Sequence, residues 1–193
     1  MNEATKGDAY KLPRQDYIFS KLRKNNWFST LDAKSGYYQL RLHEDTKPLT
    51  AFSCPPQDQY EFNVLPFGLK QAPSIYQKFM DTNLLGLDNI CLAYIDDIII
   101  FTNGDKEKHL TNLLIVLNRL KEKGVILPRE KAKICQQEIE FLGMKILKGG
   151  FIETQPHLLE KINEFPDQLQ DRKQIQRFLG CLNYIGEKGF IKD

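Results

Sequence analysis

The chain has 193 residues, of which 41% are hydrophobic and 27% charged, and its formal net charge is +2. This length fits one globular domain, or one domain with a small appendage, and the composition excludes a fibre and a wholly disordered chain. The longest nearly apolar run, residues 91–101, contains two aspartates and is far shorter than the ~20 apolar residues of a membrane helix, so we expect no membrane partner.

The four cysteines are scattered along the chain and include no Cys-x-x-Cys pair. We therefore expect neither a zinc site nor a disulfide framework, and we expect an intracellular, reducing compartment. The near-neutral net charge neither requires nor excludes a nucleic-acid partner, because a basic stripe can lie within a balanced chain.

The first part of the sequence predicts short elements separated by turns. One of its strands is apolar and ends in an acid, Asp32. The predicted elements are a short helix at 17–22, a buried strand at 27–32, the start of another strand at 37–42, and strands at 50–52 and 60–64 joined by a turn at 55–58.

The second part predicts longer helices and two hairpins. The elements are a helix after Pro73 with Ile75, Phe79 and Met80 on one side, a hairpin at 91–101, a helix with leucines at 110, 113, 114, 117 and 120, a strand at 138–147 turned by 148–150 into 151–152, and helices after Pro156 and Asp171. The first helix should end near Gly86 and the leucine helix at Gly124. This order of strands and helices indicates an α+β domain with a mainly antiparallel sheet.

Three carboxylates, those of Asp32, Asp96 and Asp97, stand beside apolar sequence. One interpretation is that Asp96-Asp97 simply forms a hairpin turn, since Asp favours turns. The other is a metal site, because adjacent acids at a buried tip raise each other's pKa and a hard divalent cation offsets their repulsion. Two such ions ~4 Å apart can promote an in-line displacement at phosphorus. The sequence leaves open whether Asp32 and Asp96 meet in space.

Five segments, in order, resemble the motifs of one family. They are FSTLDAKSGYYQ at 28–39, LPFGLKQAP at 65–73, YIDD at 94–97, FLG at 141–143 and RFLGCLNY at 177–184. With the stretch at 162–178, they resemble the reverse transcriptases of long-terminal-repeat retrotransposons and plant pararetroviruses, the caulimovirus type above all. The resemblance covers nearly the whole chain.

The resemblance implies the fold as well. It is an α+β right-hand polymerase palm, in which an antiparallel sheet packs on helices, with partial fingers and the start of a thumb. Residues 1–26 would be residual fingers, 27–150 the palm with an embedded fingers segment at about 43–70, and 151–193 the start of the thumb or connection.

The resemblance further implies the chemistry of the site. Asp32, Asp96 and Asp97 would be catalytic and would bind two Mg²⁺ ions, for which Mn²⁺ can substitute. A primer 3′-hydroxyl would attack the α-phosphate of an incoming dNTP, with RNA or DNA as the template. Lys131 would donate a proton to the leaving pyrophosphate, although a solvated surface lysine is an equally good interpretation.

Four residues would contact the dNTP according to the resemblance: Ala33, Tyr37, Phe67 and Gly68. Tyr37 would be the ring that crowds a ribose 2′-hydroxyl and so favours deoxynucleotides. Packing in a strand is the alternative for Tyr37 and the preferred interpretation of Tyr38.

Leu142 and Gly143 would lie at the primer grip, although Phe-Leu-Gly is equally good core-and-turn sequence. The upstream fingers run of the family is missing from the sequence, and the protease and RNase H partners of an intact polyprotein are expected outside it. The intact element would act in the cytoplasm or in a virus-like particle.

Two functional hypotheses follow. In the first, the chain is the core of an RNA-directed DNA polymerase that works within a longer polyprotein. In the second, it is a catalytically silent relic of an integrated element, which folds and binds nucleic acid. A non-enzymatic RNA-binding module is a more distant alternative. We expect weak or no primer extension from the isolated chain.

Overall fold

The computed structural model describes residues 10–33, 35–56, 58–154, 165–166 and 168–186. In chain order its helices and strands are α1 (Gln15–Leu22), β1 (Trp27–Asp32), β2 (Phe52–Cys54), β3 (Asp58–Tyr60), α2 (Ala72–Asn83), β4 (Cys91–Tyr94), β5 (Asp97–Thr102), α3 (Lys106–Glu122), β6 (Lys133–Gln136), β7 (Ile139–Phe141), β8 (Met144–Leu147), β9 (Phe151–Thr154) and α4 (Arg172–Gly186). Short 3₁₀ helices span Gly36–Gln39, Glu44–Thr50 and Arg129–Lys131.

The centre of the fold is a four-stranded sheet in the order β4-β5-β1-β6. All of its pairings are antiparallel, and the long β1–β5 ladder runs from the Trp27–Thr102 pair to the Asp32–Asp97 pair. Two smaller antiparallel sheets, β2-β3 and β7-β8-β9, complete the described strands. The α+β prediction with a mainly antiparallel sheet is therefore confirmed.

Strand β5 is apolar from Ile98 to Phe101 because both faces of the sheet are covered there. Ile98 and Ile100 point to a core formed with α2 and α3, while Ile99 and Phe101 point to a second core formed with α1 and the β7–β8 hairpin. Successive side chains of a strand alternate between faces, so a strand between two cores needs a continuous apolar run. Both cores therefore pack on β5, whose first residue lies opposite the last residue of β1.

Each of the two long helices buries a face that overlaps only in part with the predicted one. Helix α3 buries His109, Leu113, Val116 and Leu120, whereas Leu110 and Leu114 are exposed. Its ends agree with the prediction: the Asp105 side chain accepts a hydrogen bond from the backbone N–H of Lys108, and Gly124 follows the helix with a φ of +72°.

The helix after Pro73 is confirmed as α2, but its buried face was predicted incompletely. Met80 is buried as predicted, while Ile75 is 37% exposed and Tyr76 and Gln77 take its place inside. Polar atoms on Tyr76 and Gln77 made them look like surface residues in the sequence. The Gln77 side chain hydrogen-bonds to the turn between β4 and β5, and the Tyr76 ring lies beside Gly36.

The predicted strand at 37–42 is wrong. The chain turns at Ser35, whose φ of +48° is left-handed, and continues as the 3₁₀ helix Gly36–Gln39. A single bridge between Arg41 and Val64 is the strand-like pairing there. The turn brings the backbone of Gly36 beneath Tyr76, which a straight strand would not do.

The predicted single strand at 138–147 is also wrong, because it breaks at Leu142 and Gly143. Their φ values of +49° and +71° form a tight turn, and the halves pair with each other as β7 and β8. Strand β6 was not predicted at all. The turn at 148–150 into β9 is confirmed.

The other predicted helices and strands are either confirmed or lie outside the described residues. Helix α1, strand β1, the β2–β3 and β4–β5 hairpins and α4 are confirmed, with shifts of a few residues at the ends. The helix predicted after Pro156 lies outside the described residues. Within the parts of the chain that the structure describes, no helix is long and apolar enough to cross a bilayer.

Candidate active site

The register of β1 and β5 brings the predicted carboxylates to one end of the central sheet. Asp32 is the last residue of β1, and its Cα partner is Asp97, the first residue of β5. Asp96 lies in the turn just before, and its carbonyl accepts a hydrogen bond of 2.8 Å from the backbone N–H of Ala33. Residues 65 positions apart in the chain therefore meet through strand pairing.

The environment of these carboxylates disfavours their charged form. Burial raises the pKa of Asp96, and the negative charges of Asp32 and Asp97 raise it further. The pKa of Asp97 is raised by loss of water around its carboxyl and then by Asp32, although Asp97 remains open to solvent on one side. The ammonium of Lys131 opposes both effects. Raised carboxyl pKa values of this origin are typical of functional sites.

Lys131 lies in this site, although it comes 99 residues after Asp32. Its Nζ donates to both carboxylate oxygens of Asp32, at 3.1 Å and 3.2 Å. The 3₁₀ helix Arg129–Lys131, which leads into β6, presents the side chain. Lys131 therefore contacts one of the three carboxylates directly, as its predicted place in the site requires. Its role as a proton donor stays a prediction.

The fit of a divalent cation can be judged from the donor atoms. Among the described residues, no group of three or more His, Cys, Asp or Glu side chains is close enough to hold one ion as it stands. However, Oδ1 of Asp96 is buried and has no hydrogen-bond partner in the described part of the chain, and Asp32 already binds a cationic group. Oxygen donors of this kind suit Mg²⁺ or Mn²⁺, with Lys131 released from Asp32.

An aromatic cluster stands beside the carboxylates. The ring of Tyr37 lies 5.0 Å from Phe67 and 5.6 Å from Tyr76, measured between ring centres. Burial raises the pKa of Tyr37, and the charge of Asp96 raises it further. Tyr38 also contacts Phe67 but is 43% exposed in a 3₁₀ helix, so the expectation that it packs in a strand is wrong.

Gly36 and Tyr76 complete the cluster, and sequence analysis missed both. A Cβ on Gly36 would overlap Oδ1 of Asp96 and would stand 2.7 Å from Cζ of Tyr76. The Tyr76 hydroxyl is buried and has no hydrogen-bond partner among the described residues. Burial, and next the charges of Asp96 and Asp32, raise its pKa. The Gly-Tyr-Tyr sequence was a usable signal for Gly36; nothing in the sequence pointed to Tyr76.

The predicted primer-grip residues line a cavity shared with a carboxylate. Leu142 and Gly143 form the turn between β7 and β8, and a cavity of ≈ 190 Å³ joins them to Thr30 and Asp97. Two other predicted residues are placed differently. The side chain of Ala33 is only 2% exposed, and Gly68 has a φ of +88° with open space where a side chain would stand.

Comparison with known sequences agrees with this geometry. The sequence model of one family, Reverse transcriptase (RNA-dependent DNA polymerase), matches residues 1–146. The "Enzymatic polyprotein" of Soybean chlorotic mottle virus is 67% identical over all 193 residues, and that of Cestrum yellow leaf curling virus is 64% identical. That of Cauliflower mosaic virus is 46% identical over 187 residues.

These relatives are much longer than the chain, which spans 28%, 30% and 27% of their lengths, respectively. They are polyproteins of caulimoviruses, so the predicted likeness to plant pararetroviruses is confirmed.

Comparison with solved structures concerns the fold. A foamy viral protease-reverse transcriptase in complex with double-stranded DNA superimposes with a TM-score of 0.83 at 23% identity, over 95% of this chain and 31% of that one. The foamy viral enzyme in complex with an RNA/DNA hybrid gives 0.79, over 24% of its length. The palm-type architecture is thereby shown.

Proposed function

Because the chain belongs to the family of reverse transcriptases (RNA-dependent DNA polymerases), we propose that it forms the catalytic palm of an RNA-directed DNA polymerase. The reaction would join the 3′-hydroxyl of a primer to the α-phosphate of a dNTP and release pyrophosphate. The observation that carries the proposal is the β1–β5 register, which sets Asp32 opposite Asp97 with Asp96 beside them. Phosphoryl transfer depends mainly on positioning and on neutralisation of charge. The paired strands would position the groups, and cations bound to the carboxylates would neutralise the charge.

The three carboxylates are the proposed ligands of two Mg²⁺ or Mn²⁺ ions. When bound, such ions supply activation of the attacking hydroxyl and stabilisation of the charge that develops on phosphate oxygens. Supporting observations are the buried oxygen of Asp96, which has no partner among the described residues, the raised pKa values of Asp96 and Asp97, and the ammonium already bound to Asp32.

Lys131 is proposed as the residue that protonates the leaving group. Its ammonium lies at the carboxylates, and its side chain is 62% exposed, so it reaches the site from solvent. A solvent-facing lysine beside an active carboxylate can carry a proton to an oxygen that becomes a leaving group. The ion pair with Asp32 keeps this ammonium at the site until a divalent cation takes its place.

Tyr37 is proposed as the residue that selects the sugar. Its ring contacts Phe67 and Tyr76, and these rings would form an aromatic wall on the substrate side of the carboxylates. A 2′-hydroxyl is the sugar group that separates ribonucleotides from deoxynucleotides. A fixed ring at this place would exclude it by overlap. Phe67, Gly68 and the backbone of Ala33 would complete the dNTP surface.

The proposed nucleic-acid partner is a template–primer duplex. Leu142 and Gly143 share a cavity with Asp97, which suits a primer terminus that must reach the carboxylates. The foamy viral relatives of the fold were solved with double-stranded DNA and with an RNA/DNA hybrid. The caulimovirus relatives are polyproteins, so we propose further that protease and RNase H parts accompany this palm.

The proposed division of the chain follows the sequence boundaries. Residues 1–26 would belong to the fingers, 27–150 to the palm, and 151–193 to the start of the thumb or connection. The segment at about 43–70 contains its own two-stranded sheet, β2-β3, separate from the central sheet. That separation supports its proposed role as an embedded fingers segment.

Primer extension on poly(rA)·oligo(dT) with Mg²⁺ or Mn²⁺ tests the proposal. It is measured in this chain and in the intact polyprotein of a close relative with the same substitutions. Asp96→Asn and Asp97→Asn should each reduce the rate by about 10³-fold or more, since each removes charge from the site. Asp88→Asn, an exposed aspartate outside the site, is the matched control and should have no effect. Extension that survives the double Asp96→Asn, Asp97→Asn substitution would overturn the metal assignment.

A further inference from the structure

A buried amide connects α2 to the turn that carries Asp96. The side chain of Gln77 is 0% exposed. Its amide oxygen and its amide nitrogen both form hydrogen bonds with other residues of the chain. Its Oε1 accepts from the backbone N–H of Ile95 at 2.7 Å, and its Nε2 donates to the carbonyl of Ala93 at 3.0 Å and to Asp81 Oδ1 at 2.9 Å. The partners fix the orientation of the amide, because a flipped amide would face a donor with a donor.

The turn needs such a support because it is strained. Ile95 has a φ of +54°, in the left-handed region, where a β-branched residue costs roughly 1–2 kcal/mol. Two-residue hairpin turns of this kind are normally made by Gly, Asn or Asp. The hydrogen bonds from Gln77 hold the two peptide groups on either side of Tyr94. Asp96 is the next residue after Ile95, so the direction of its carboxylate depends on this conformation.

The support extends to the segment before α1. Oδ2 of Asp81 accepts a short hydrogen bond from the hydroxyl of Tyr10, while Oδ1 accepts from Gln77. This bond, with burial and the charge of Asp81, raises the pKa of Tyr10 to about 12. A continuous series of hydrogen bonds therefore runs from Tyr10 through Asp81 and Gln77 to Ile95.

We propose that Gln77 is a positioning residue for Asp96, and that the Tyr10–Asp81 pair orients Gln77 for this task. The proposal rests on the proposed function, in which Asp96 binds a divalent cation. It also assigns an indirect influence to the segment before α1: Tyr10 acts on the Asp96 carboxylate through Asp81 and Gln77, without contacting the substrate. Residues that orient a ligand in this way typically change metal affinity by about 10- to 100-fold when they are replaced.

Three variants of the 193-residue chain test it. Gln77→Met keeps the length of the side chain and removes all three hydrogen bonds. Tyr10→Phe removes a single hydroxyl far from the carboxylates. Asn25→Leu is the matched control, because Asn25 is a buried amide that donates to three carbonyls at the end of α1, away from the turn. The loss of unfolding free energy in Asn25→Leu should be comparable to that in Gln77→Met.

The first measurement is the dissociation constant for Mn²⁺, from the relaxation rate of water protons, at a temperature where every variant is folded. Gln77→Met should raise it about tenfold and Tyr10→Phe about threefold, and Asn25→Leu should leave it unchanged. The second measurement is hydrogen exchange at the Ile95 amide. Exchange there should accelerate strongly in Gln77→Met and slightly in Tyr10→Phe.

The outcomes separate the inference from the proposed function. If Gln77→Met binds Mn²⁺ as the unmodified chain does, or if Asn25→Leu weakens binding equally, then Gln77 has only a structural role and the inference fails. If the unmodified chain binds no Mn²⁺, the proposed function fails, and exchange at Ile95 still decides whether Gln77 and Tyr10 hold the turn. Unchanged exchange in both variants would overturn the positioning role by itself.

Discussion

Nζ of Lys131 lies 3.1 Å from Oδ1 and 3.2 Å from Oδ2 of Asp32, so one ammonium group spans both oxygens of the carboxylate that ends β1. The pair is partly exposed, with 62% of the lysine side chain and 31% of the aspartate side chain open to solvent. Such a pair is weak enough to exchange, because exposed ion pairs stabilise a fold by only about 0.2–1 kcal/mol. Any other cation that uses Asp32 must compete with this lysine.

Replacement of the lysine should therefore strengthen cation binding while it harms the reaction. Lys131→Met should lower the dissociation constant for Mn²⁺ about threefold at pH 8, since about 0.6 kcal/mol of competing interaction is removed. Primer extension should fall, because the proton donor is lost. Lys133→Met is the control: that lysine is similarly exposed and pairs with Glu140, so neither quantity should change. Weaker Mn²⁺ binding in Lys131→Met would contradict the competition.

The buried charge of Asp96 should destabilise the fold at neutral pH. Its folded pKa is raised, so the folded state holds a proton that the unfolded state has lost, and the free energy of unfolding falls as pH rises from about 4 through the folded pKa. Asp96→Asn should raise Tm by several degrees at pH 7 without added metal, equivalent to about 1 kcal/mol. Mg²⁺ should raise the Tm of the unmodified chain and not that of the variant.

Thermal unfolding followed by circular dichroism measures both effects. Asp88→Asn again serves as the control. A lower Tm for Asp96→Asn would mean that the carboxylate has a stabilising partner, against the unpartnered oxygen that the structure shows among its described residues.

Gly36 should tolerate no side chain. Its Cβ would overlap Oδ1 of Asp96 and approach the Tyr76 hydroxyl to 2.8 Å, so Gly36→Ala must displace the carboxylate or the ring. We expect a loss of about 2 kcal/mol in unfolding free energy and at least a tenfold loss in primer extension. Gly180→Ala is the matched control, since that glycine lies within α4 with open space around it, and alanine there should stabilise the helix.

The buried His109 should make stability depend on pH. Its Nε2 lies 2.7 Å from Ser29 Oγ and its Nδ1 2.9 Å from Thr102 Oγ1, and burial lowers its pKa below the ordinary 6.5. The neutral ring is therefore favoured by folding. Its contribution is complete above pH 6.5 and is lost as the pH falls towards the folded pKa. Urea unfolding at pH 7.5 and 5.5 should show a smaller difference for His109→Gln than for the unmodified chain. Equal differences would assign the pH dependence to other groups.

The Tyr37 ring should decide between ribonucleotides and deoxynucleotides. Tyr37→Ala removes the wall that Phe67 and Tyr76 hold in place, so the preference for dNTP over rNTP should fall at least tenfold. Single-nucleotide incorporation with each substrate measures this ratio. Tyr38→Ala removes a neighbouring ring that also touches Phe67 and should leave the ratio unchanged. The opposite result would assign selection to Tyr38.

Prediction from the sequence succeeded where the signal was local. The two aspartates within an apolar run placed the β4–β5 turn, and Gly124 placed the end of α3. It failed where backbone geometry ran against the residue type. Leu142 adopts a positive φ, which is unusual for leucine, so one strand was predicted at 138–147 although Phe-Leu-Gly also suited a turn. Strand β6 was not predicted either.

The site itself was predicted only in part, for a physical reason. The three aspartates stood out because they lie beside apolar sequence, whereas Lys131 came from the resemblance alone. Strand register brings Asp32 opposite Asp97, and the 3₁₀ helix Arg129–Lys131 brings the lysine to Asp32 across 99 residues. The supporting contacts of Tyr76 and Gln77 depend on which face of α2 is buried. Periodicity could not decide that face, because the buried positions carry polar atoms.

The central place of β1 in the sheet also determines when the sheet and its carboxylate site can assemble during synthesis. Its neighbours are made later: β5 begins at Asp97, and Ser29 meets Cys135 across a separation of 106 residues. Ribosomes add ~5–20 residues per second, and pairings this distant form slowly. Strand β1 therefore waits for both partners with its apolar side chains uncovered, and Asp32 can meet Asp97 only after about half of the 193 residues have been made. Nascent chains that stop before β6 should aggregate and should show no primer extension.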